Sequence, residues 1–441
     1  MNKNMLIAVL AGMALLAPLA EADAQGKVAP ITMVINQSPW FDGFKRQVDA
    51  YAQETGSKIE LDVNPYAGML DKIRNSLRAG AGDYDLLAID ANWMVEMFAA
   101  GYLMPIDELE PGFKLDPKVS TFDGSILWNA ERRGFDPAKG KLMGVPINGN
   151  VDVLYYRADL YEKAGLKPPE TWDDLLANAV KLNDPPRVYG FVHFDDRAFT
   201  MVDYSNYMFS FGGDLFVDQK AGDFRVAFNS PKNLKALEFY IDLGKKGGYP
   251  SPGSVSQGQL FQLLATGKAA HGLGVIAAMA QFDDPTKSAV AGKLNAALMP
   301  RAADGAHAAR AGHWIGAIAK NVPKEKQMAA LAFLKWFETK DHQVAYARFG
   351  AIPVRSDIGE SDLAKDPKYR WLKPMADNAA VARIPISVPE APQLMAIANL
   401  RLNEAVIGQS TPAKALNQAA HEIHDVMVKA GYKTGLMPDL P

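Results

Sequence analysis

Residues 31–101 read ITMVINQSPWFDGFKRQVDAYAQETGSKIELDVNPYAGMLDKIRNSLRAGAGDYDLLAIDANWMVEMFAAG, and the hydrophobic pattern of this stretch decides the fold. Ile31 to Ile35 is a compact apolar run with β-branched residues. Phe41, Phe44, Val48 and Tyr51 follow at helical spacing, and Gly56 ends that helix. Lys58 to Val63 alternates as a strand does. Met69, Ile73 and Leu77 form a second helical stripe, Tyr84 to Ile89 a third strand, and Trp93 to Ala100 a third helix stopped by Gly101. Strands alternating with amphipathic helices predict an α/β architecture, with a parallel sheet covered on both faces.

A second unit follows. Val145-Pro146-Ile147, Val151 to Tyr156, Val188 to Phe194 and Phe224 to Phe228 read as strands. Thr171 opens a helix as its cap, with Asp174 three residues on, and Ser230-Pro231 starts another by the cap-then-proline rule. The last third is mostly helical, with amphipathic stretches at Ala329 to Phe337 and Leu394 to Ile407 and a final helix from Thr411-Pro412 to about Lys429. No flexible linker separates the two units, so the chain is expected to cross between them more than once.

Composition bounds the function. The 441 residues carry a net charge of −3, with 48% hydrophobic residues and no cysteine. A near-neutral chain lacks the basic face a nucleic-acid binder needs. Without cysteine there are no disulfides, cysteine zinc sites, iron–sulfur clusters or thiol catalysis. The N-terminus speaks to compartment. Lys3 is followed by an apolar run from Met5 to Ala20 and by Ala22-Asp23-Ala24, the pattern of a secretory signal cleaved after Ala24. The mature protein, starting at Gln25, is expected in the periplasm.

In open α/β sheets ligands bind beyond the carboxyl ends of the strands. Here the first strand ends into Asn36-Gln37-Ser38-Pro39-Trp40, the second into Asn64-Pro65-Tyr66 and the third into Asp90-Ala91-Asn92-Trp93. Each end pairs polar side chains with an aromatic ring. That combination suits a neutral ligand with many hydroxyls, since carboxylates and amides hydrogen-bond hydroxyls and flat rings cover C–H faces.

Further blocks make the chain recognisable. They are Val153-Leu-Tyr-Tyr-Arg-Ala-Asp-Leu-Tyr-Glu-Lys-Ala-Gly165, Pro168-Pro-Glu-Thr-Trp-Asp-Asp-Leu175, Gly312-His-Trp-Ile-Gly-Ala-Ile318 and Gly350-Ala-Ile-Pro-Val-Arg355. In order and spacing they resemble the extracellular solute-binding proteins of carbohydrate ABC importers, the group that includes the maltose-binding protein. The resemblance implies a two-lobe periplasmic-binding-protein fold with crossing hinge segments and a ligand cleft between the lobes. One lobe would hold residues 25–144 plus 313–348, the other 145–312 plus 349–441. It also implies a membrane permease as partner and no catalysis, nucleotide or other cofactor. Nothing in the chain suggests oligomerisation, so a monomer is expected.

Carried over block by block, the resemblance nominates Asp90, Asn92 and Trp93 after the third strand, and Asn148 and Asn150 after Val-Pro-Ile. It adds Asp203, Tyr204 and Asn206 on the helix before Phe211-Gly-Gly, then His313 and Trp314, and Arg355 and Arg383 near the second crossing. Trp40 and Tyr66 join them from the strand ends. Two aromatic platforms common in the family are missing. Gly272-Leu-Gly274-Val-Ile stands for one and Gln393-Leu394-Met395 for the other. A mono- or disaccharide or a sugar alcohol is therefore expected rather than a long oligosaccharide. The rival readings are a secreted carbohydrate-active enzyme and a receptor for a cationic solute.

Other motifs carry less. Gly272-x-Gly274-x-x-Ala277 lacks the βαβ frame of a dinucleotide site and reads as a turn at the cleft edge. His421 and His424 share a helix face but have no third ligand in sight, so no metal is expected. Asp173-Asp174, Asp195-Asp196 and Asp283-Asp284 read as turns and caps, because adjacent acids do not face one bond. Trp172 and Trp336 read as core.

Overall fold

The computed structural model describes residues 29–441; the signal-peptide reading over residues 1–24 lies outside them. The opening stretch forms β1 (Ile31–Asn36), α1 (Phe41–Thr55), β2 (Ile59–Asn64), α2 (Tyr66–Arg78), β3 (Leu86–Asp90) and α3 (Met94–Ala99). α1 buries Phe41, Phe44, Val48 and Tyr51 on one face, and Gly56 closes it at φ 71°. That left-handed conformation costs glycine little. β1 pairs in parallel with β2 and β3.

Two strands from later in the chain complete this sheet, in the order β2, β1, β3, Trp314–Ile318, Val145–Asn148. Trp314–Ile318 runs antiparallel to both its neighbours, so the sheet is mixed rather than wholly parallel. The reason is direction of entry. β3 runs towards the second lobe and ends at Asp90, whereas Trp314 arrives from that lobe and pairs with Asp90 at the start of its strand. Val145–Asn148, expected in the second unit, is the edge strand of this first sheet. The crossing therefore begins after Asn148. The first core gathers side chains from Ile31 to Ile147 and from Trp314 to Ala351.

The second lobe is built on a three-stranded antiparallel sheet. Asp152–Arg157 lies at its centre, between His271–Val275 and Leu294–Ala297. Helices Trp172–Leu182, Thr200–Ser210, Pro231–Gly247, Ala391–Val406 and Pro412–Lys429 enclose a core rich in aromatic rings. Thr171 and Asp174 form the full reciprocal cap. Trp172 is buried and stacks on Tyr207, and Trp336 packs beside Phe333 and His342.

Two expectations give way here. Val188 to Phe194 makes only single bridges, because its backbone passes from Asp184 to Ala269 to Gly248 without running along any one of them. Gly272 and Gly274 lie in a strand, not a turn. A side chain on either would meet a close-packed one, Leu260 Cδ1 at 2.7 Å or Phe261 Cε1 at 2.6 Å.

The lobes join at a waist of hydrogen-bonded crossing segments. Gly149 N–H donates to Ile352 O (3.0 Å), Gly312 N–H to Asn150 O (2.9 Å) and Ser120 N–H to Val354 O (2.8 Å). Val151 bridges Ala311, and Val119 bridges Arg355. A methyl group on Gly149 would lie 2.1 Å from Pro353 O. Gly149→Ala should therefore force the crossings apart and cost roughly 1–3 kcal/mol. Urea denaturation checks this, and an unchanged midpoint would refute the packing.

A cleft of aromatic rings and paired charges between the lobes

Because β1, β2 and β3 are parallel, their carboxyl ends deliver Trp40, Tyr66 and Trp93 to one edge of the sheet, at the starts of α1, α2 and α3. Trp314 is brought to the same edge by its register with Asp90 on one side and Asn148 on the other. The four rings form one cluster. Tyr66 lies 4.7 Å from Trp93, Trp93 5.5 Å from Trp314, Tyr66 6.0 Å from Trp314, and Trp40 5.8 Å from Trp314. Trp40 is 2% exposed and also contacts Phe44, so it forms the base of the cluster. Tyr66, 46% exposed, is its open face.

Polar groups meet the rings. Asp90 Oδ1 accepts the Asn92 backbone N–H (2.8 Å) and the Asn92 amide (2.7 Å). Burial pushes the Asp90 carboxyl up to about 6, against the opposing pull of those hydrogen bonds and of the Arg310 charge. Asn148 Oδ1 accepts the Asn150 N–H, while its Nδ2 is buried without a protein partner. Asn150 Oδ1 holds the Ala277 N–H at 3.2 Å.

Arg310, from the short strand Ala309–Arg310, faces this edge from the second lobe. Its Nε and Nη2 bond both oxygens of Asp152 at 2.9 and 3.0 Å, and Nη1 donates to Ala311 O. Asn206 locks the pair, accepting the Arg310 backbone N–H and donating to Asp152. Asp152 is wholly buried and Arg310 nearly so. Sequence reasoning named Asn206 but missed Arg310 and Asp152. The pair joins residues 158 apart, and no local pattern marks either one.

The remaining nominated residues have other partners. Asp203 Oδ2 bonds His193 Nδ1 and accepts the Tyr240 hydroxyl, both at 2.9 Å, deep in the second lobe. Tyr204 is wholly buried there and donates to Asn233 O. His313 stacks on Phe122 at 4.0 Å and pairs with Ser125 Oγ. Burial and the Arg310 charge push its pKa down to about 3, so it packs the waist as a neutral ring. Arg355 ties Asp116, Asp357 and Glu338 O together at the waist. Arg383 pairs with Asp214 (2.5 Å) above the Phe209 ring. On the last helix, His421 pairs with Asp439.

Of the cavities lined by both lobes, two lie beside Trp93 and beside Asp214. The larger, about 290 Å³, is lined by Tyr66, Asn92 and Trp93 from the first lobe and by Phe199, Ile386 and Met395 from the second. The smaller, about 210 Å³, is lined by Phe122, Asp123, Asp214, Asp218, Lys220 and Arg383 among others. Both are small for ligand sites, which typically run to roughly 300–1,000 Å³. Met395 offers an unbranched apolar chain in the segment that stands for one of the two missing aromatic platforms.

An aromatic floor with hydrogen-bonding groups, set between two α/β lobes, describes a binding cleft. Residues 36–344 match the bacterial extracellular solute-binding proteins, and the chain belongs to that family. Its fold is the two-lobe periplasmic-binding-protein fold, and the family's members are binding proteins. The structure of maltose-bound MalE3 of T. maritima superposes with a TM-score of 0.73 at 25% identity, covering 90% of this chain and all of that one. The mannitol-binding protein of Pseudomonas aeruginosa is 25% identical over 392 residues, 82% of this chain and 84% of that one. A Brucella abortus relative described only as a binding protein is 29% identical over 237 residues. The match spans about half the length of such curated relatives, 53% in that case.

Asp90 gives a pH signature. Its folded pKa is raised, so its contribution to stability is complete below about pH 4 and is lost as pH rises through about 6. Asp90→Asn should stabilise the unliganded protein at pH 7 by up to about 2–3 kcal/mol, the equivalent of that shift, and leave it unchanged near pH 4. Melting curves of both proteins across pH 4–8 would show this, and a pH-independent difference would contradict it.

Proposed function

We propose that this extracellular solute-binding protein captures a small carbohydrate, a mono- or disaccharide or a sugar alcohol, and hands it unchanged to the membrane permease of an ABC importer. The observation that carries this reading is the Tyr66–Trp93–Trp314 platform beside Asp90, faced across the cleft by Arg310. Flat rings cover the C–H faces of such a ligand, while a carboxylate and a guanidinium take its hydroxyls. The mannitol-binding relative and the maltose-bound structure support it. The binding set narrows to Tyr66, Asp90, Asn92, Trp93, Asn148, Asn150 and Trp314, with Arg310 added. The protein acts as a monomer in the periplasm, and the mass of the exported chain should place its first residue at Gln25.

Thermal melting against sugars, polyols, polyamines and amino acids tests the proposal. A ligand at about 100 times its dissociation constant adds roughly 2.7 kcal/mol. The shift is expected with one or a few related sugars or polyols. Trp93→Ala and Trp314→Ala should each weaken that binding by about 1–3 kcal/mol. Turnover of a glycoside, or a shift with polyamines alone, would overturn the reading.

A further inference from the structure

The cations lining the cavity beside Trp93 and the cavity beside Asp214 are already paired. In the larger cavity Arg74 holds both oxygens of Glu96, at 2.7 and 2.6 Å, and one of Asp71. In the smaller, Lys220 bonds Asp123 and Arg383 bonds Asp214. Arg310 has its buried bidentate partner in Asp152. The carboxylates are in excess. Among the described residues neither Asp90 nor Asp218 has a cation at ion-pair distance. Asp90 Oδ1 accepts only from Asn92, and Asp218 Oδ1 accepts the Ala221 N–H.

We propose that this cleft selects uncharged polyhydroxy ligands and rejects their phosphorylated and carboxylated derivatives, its arginines acting as charge-masked hydrogen-bond donors and not as anion receptors. The proposal rests on the carbohydrate reading above and adds the charge class of the ligand. An anion receptor keeps a cation free to meet the incoming charge. Here a phosphate would leave water for a site whose cations are spent and whose unpaired charges are acidic, and that desolvation would go uncompensated. A hydroxyl brings no such charge. Arg310 has five N–H groups, and Asp152 and Ala311 leave some of them uncommitted. With the guanidinium plane held by Asp152 and Ala311 O, these are oriented donors, and Asp90 is an acceptor on the opposite lobe. A hydroxyl can serve both roles at once.

The test is calorimetric titration at pH 7.5 of the mature protein with D-mannitol, D-glucose and maltose, set against mannitol 1-phosphate, glucose 1-phosphate and D-gluconate, with putrescine as a cation. The expected result is binding of at least one neutral probe, with its anionic counterpart weaker by roughly 100-fold or more. Asp214→Asn and Asp152→Asn each unmask an arginine. In whichever variant keeps the native circular dichroism spectrum, the gap should shrink by at least about 10-fold. An anionic probe binding as tightly as its parent would overturn the proposal while leaving carbohydrate capture intact. So would an unchanged gap in a folded variant. Binding of putrescine alone, or of no probe, would overturn the carbohydrate reading and this proposal with it.

Discussion

The pairing of Trp314 with Asp90 is the constraint on which the rest of the molecule depends. It inserts a strand from late in the chain beside β3, and by doing so it closes the first sheet and fixes the direction of the returning crossing. A strand that begins where its neighbour ends must run antiparallel to it. The first residue of one strand and the last residue of the other are therefore brought together at the face that meets the second lobe. The aromatic platform follows from this one register. Trp314 fills the space between Trp40, Trp93 and Tyr66, and the preceding residues, Arg310 to His313, become part of the waist.

The cleft's electrostatics suit reversible capture. A buried ion pair such as Arg310–Asp152 contributes little net stability, because desolvation of both ions offsets their attraction. Its effect is geometric, since two side chains and Asn206 hold each other in one arrangement. Contacts further out are of the weaker, solvent-facing kind. Asp123 with Lys220 and Arg133 with Glu390 span the lobes, and such pairs are worth about 0–1 kcal/mol each. Phe122, Asp123 and Arg133 also adopt positive φ, a conformation that is uncommon away from glycine. All three lie in the excursion that meets the second lobe. A waist held by a few hydrogen bonds and an outer rim held by weak pairs together permit hinge motion without loss of either core.

Much of this was legible in the residues. Alternation and helical spacing located β1 to α3, and capping chemistry located the Thr171–Asp174 cap and the Ser230-Pro231 helix start, because those signals are local. The end-of-strand rule brought out Trp40, Tyr66, Trp93 and Asp90, which the fold gathers in one cluster and its immediate neighbourhood. Asp203 and Tyr204 were nominated through a helix whose buried face looks, in sequence, the same as a ligand-facing one. Their hydroxyl, carbonyl and imidazole partners come from residues ten to 37 positions away. Val145–Asn148 was legible as a strand, but not the sheet it would join.

By itself the sequence determined the α/β class, the order of elements, the family and the kinds of side chain available to a ligand, since each depends on neighbours along the chain. Only the tertiary structure decided which polar groups are spent and which are free. Arg383 was nominated for ligand contact and Arg310 passed unnoticed, since nothing along the chain shows either one's partner. Folding brings Asp152 and Asp214 against them, 158 and 169 residues distant, and leaves Asp90 without a cation. Charge pairing in a cleft is a property of distances in space, and no periodicity along the chain encodes those distances.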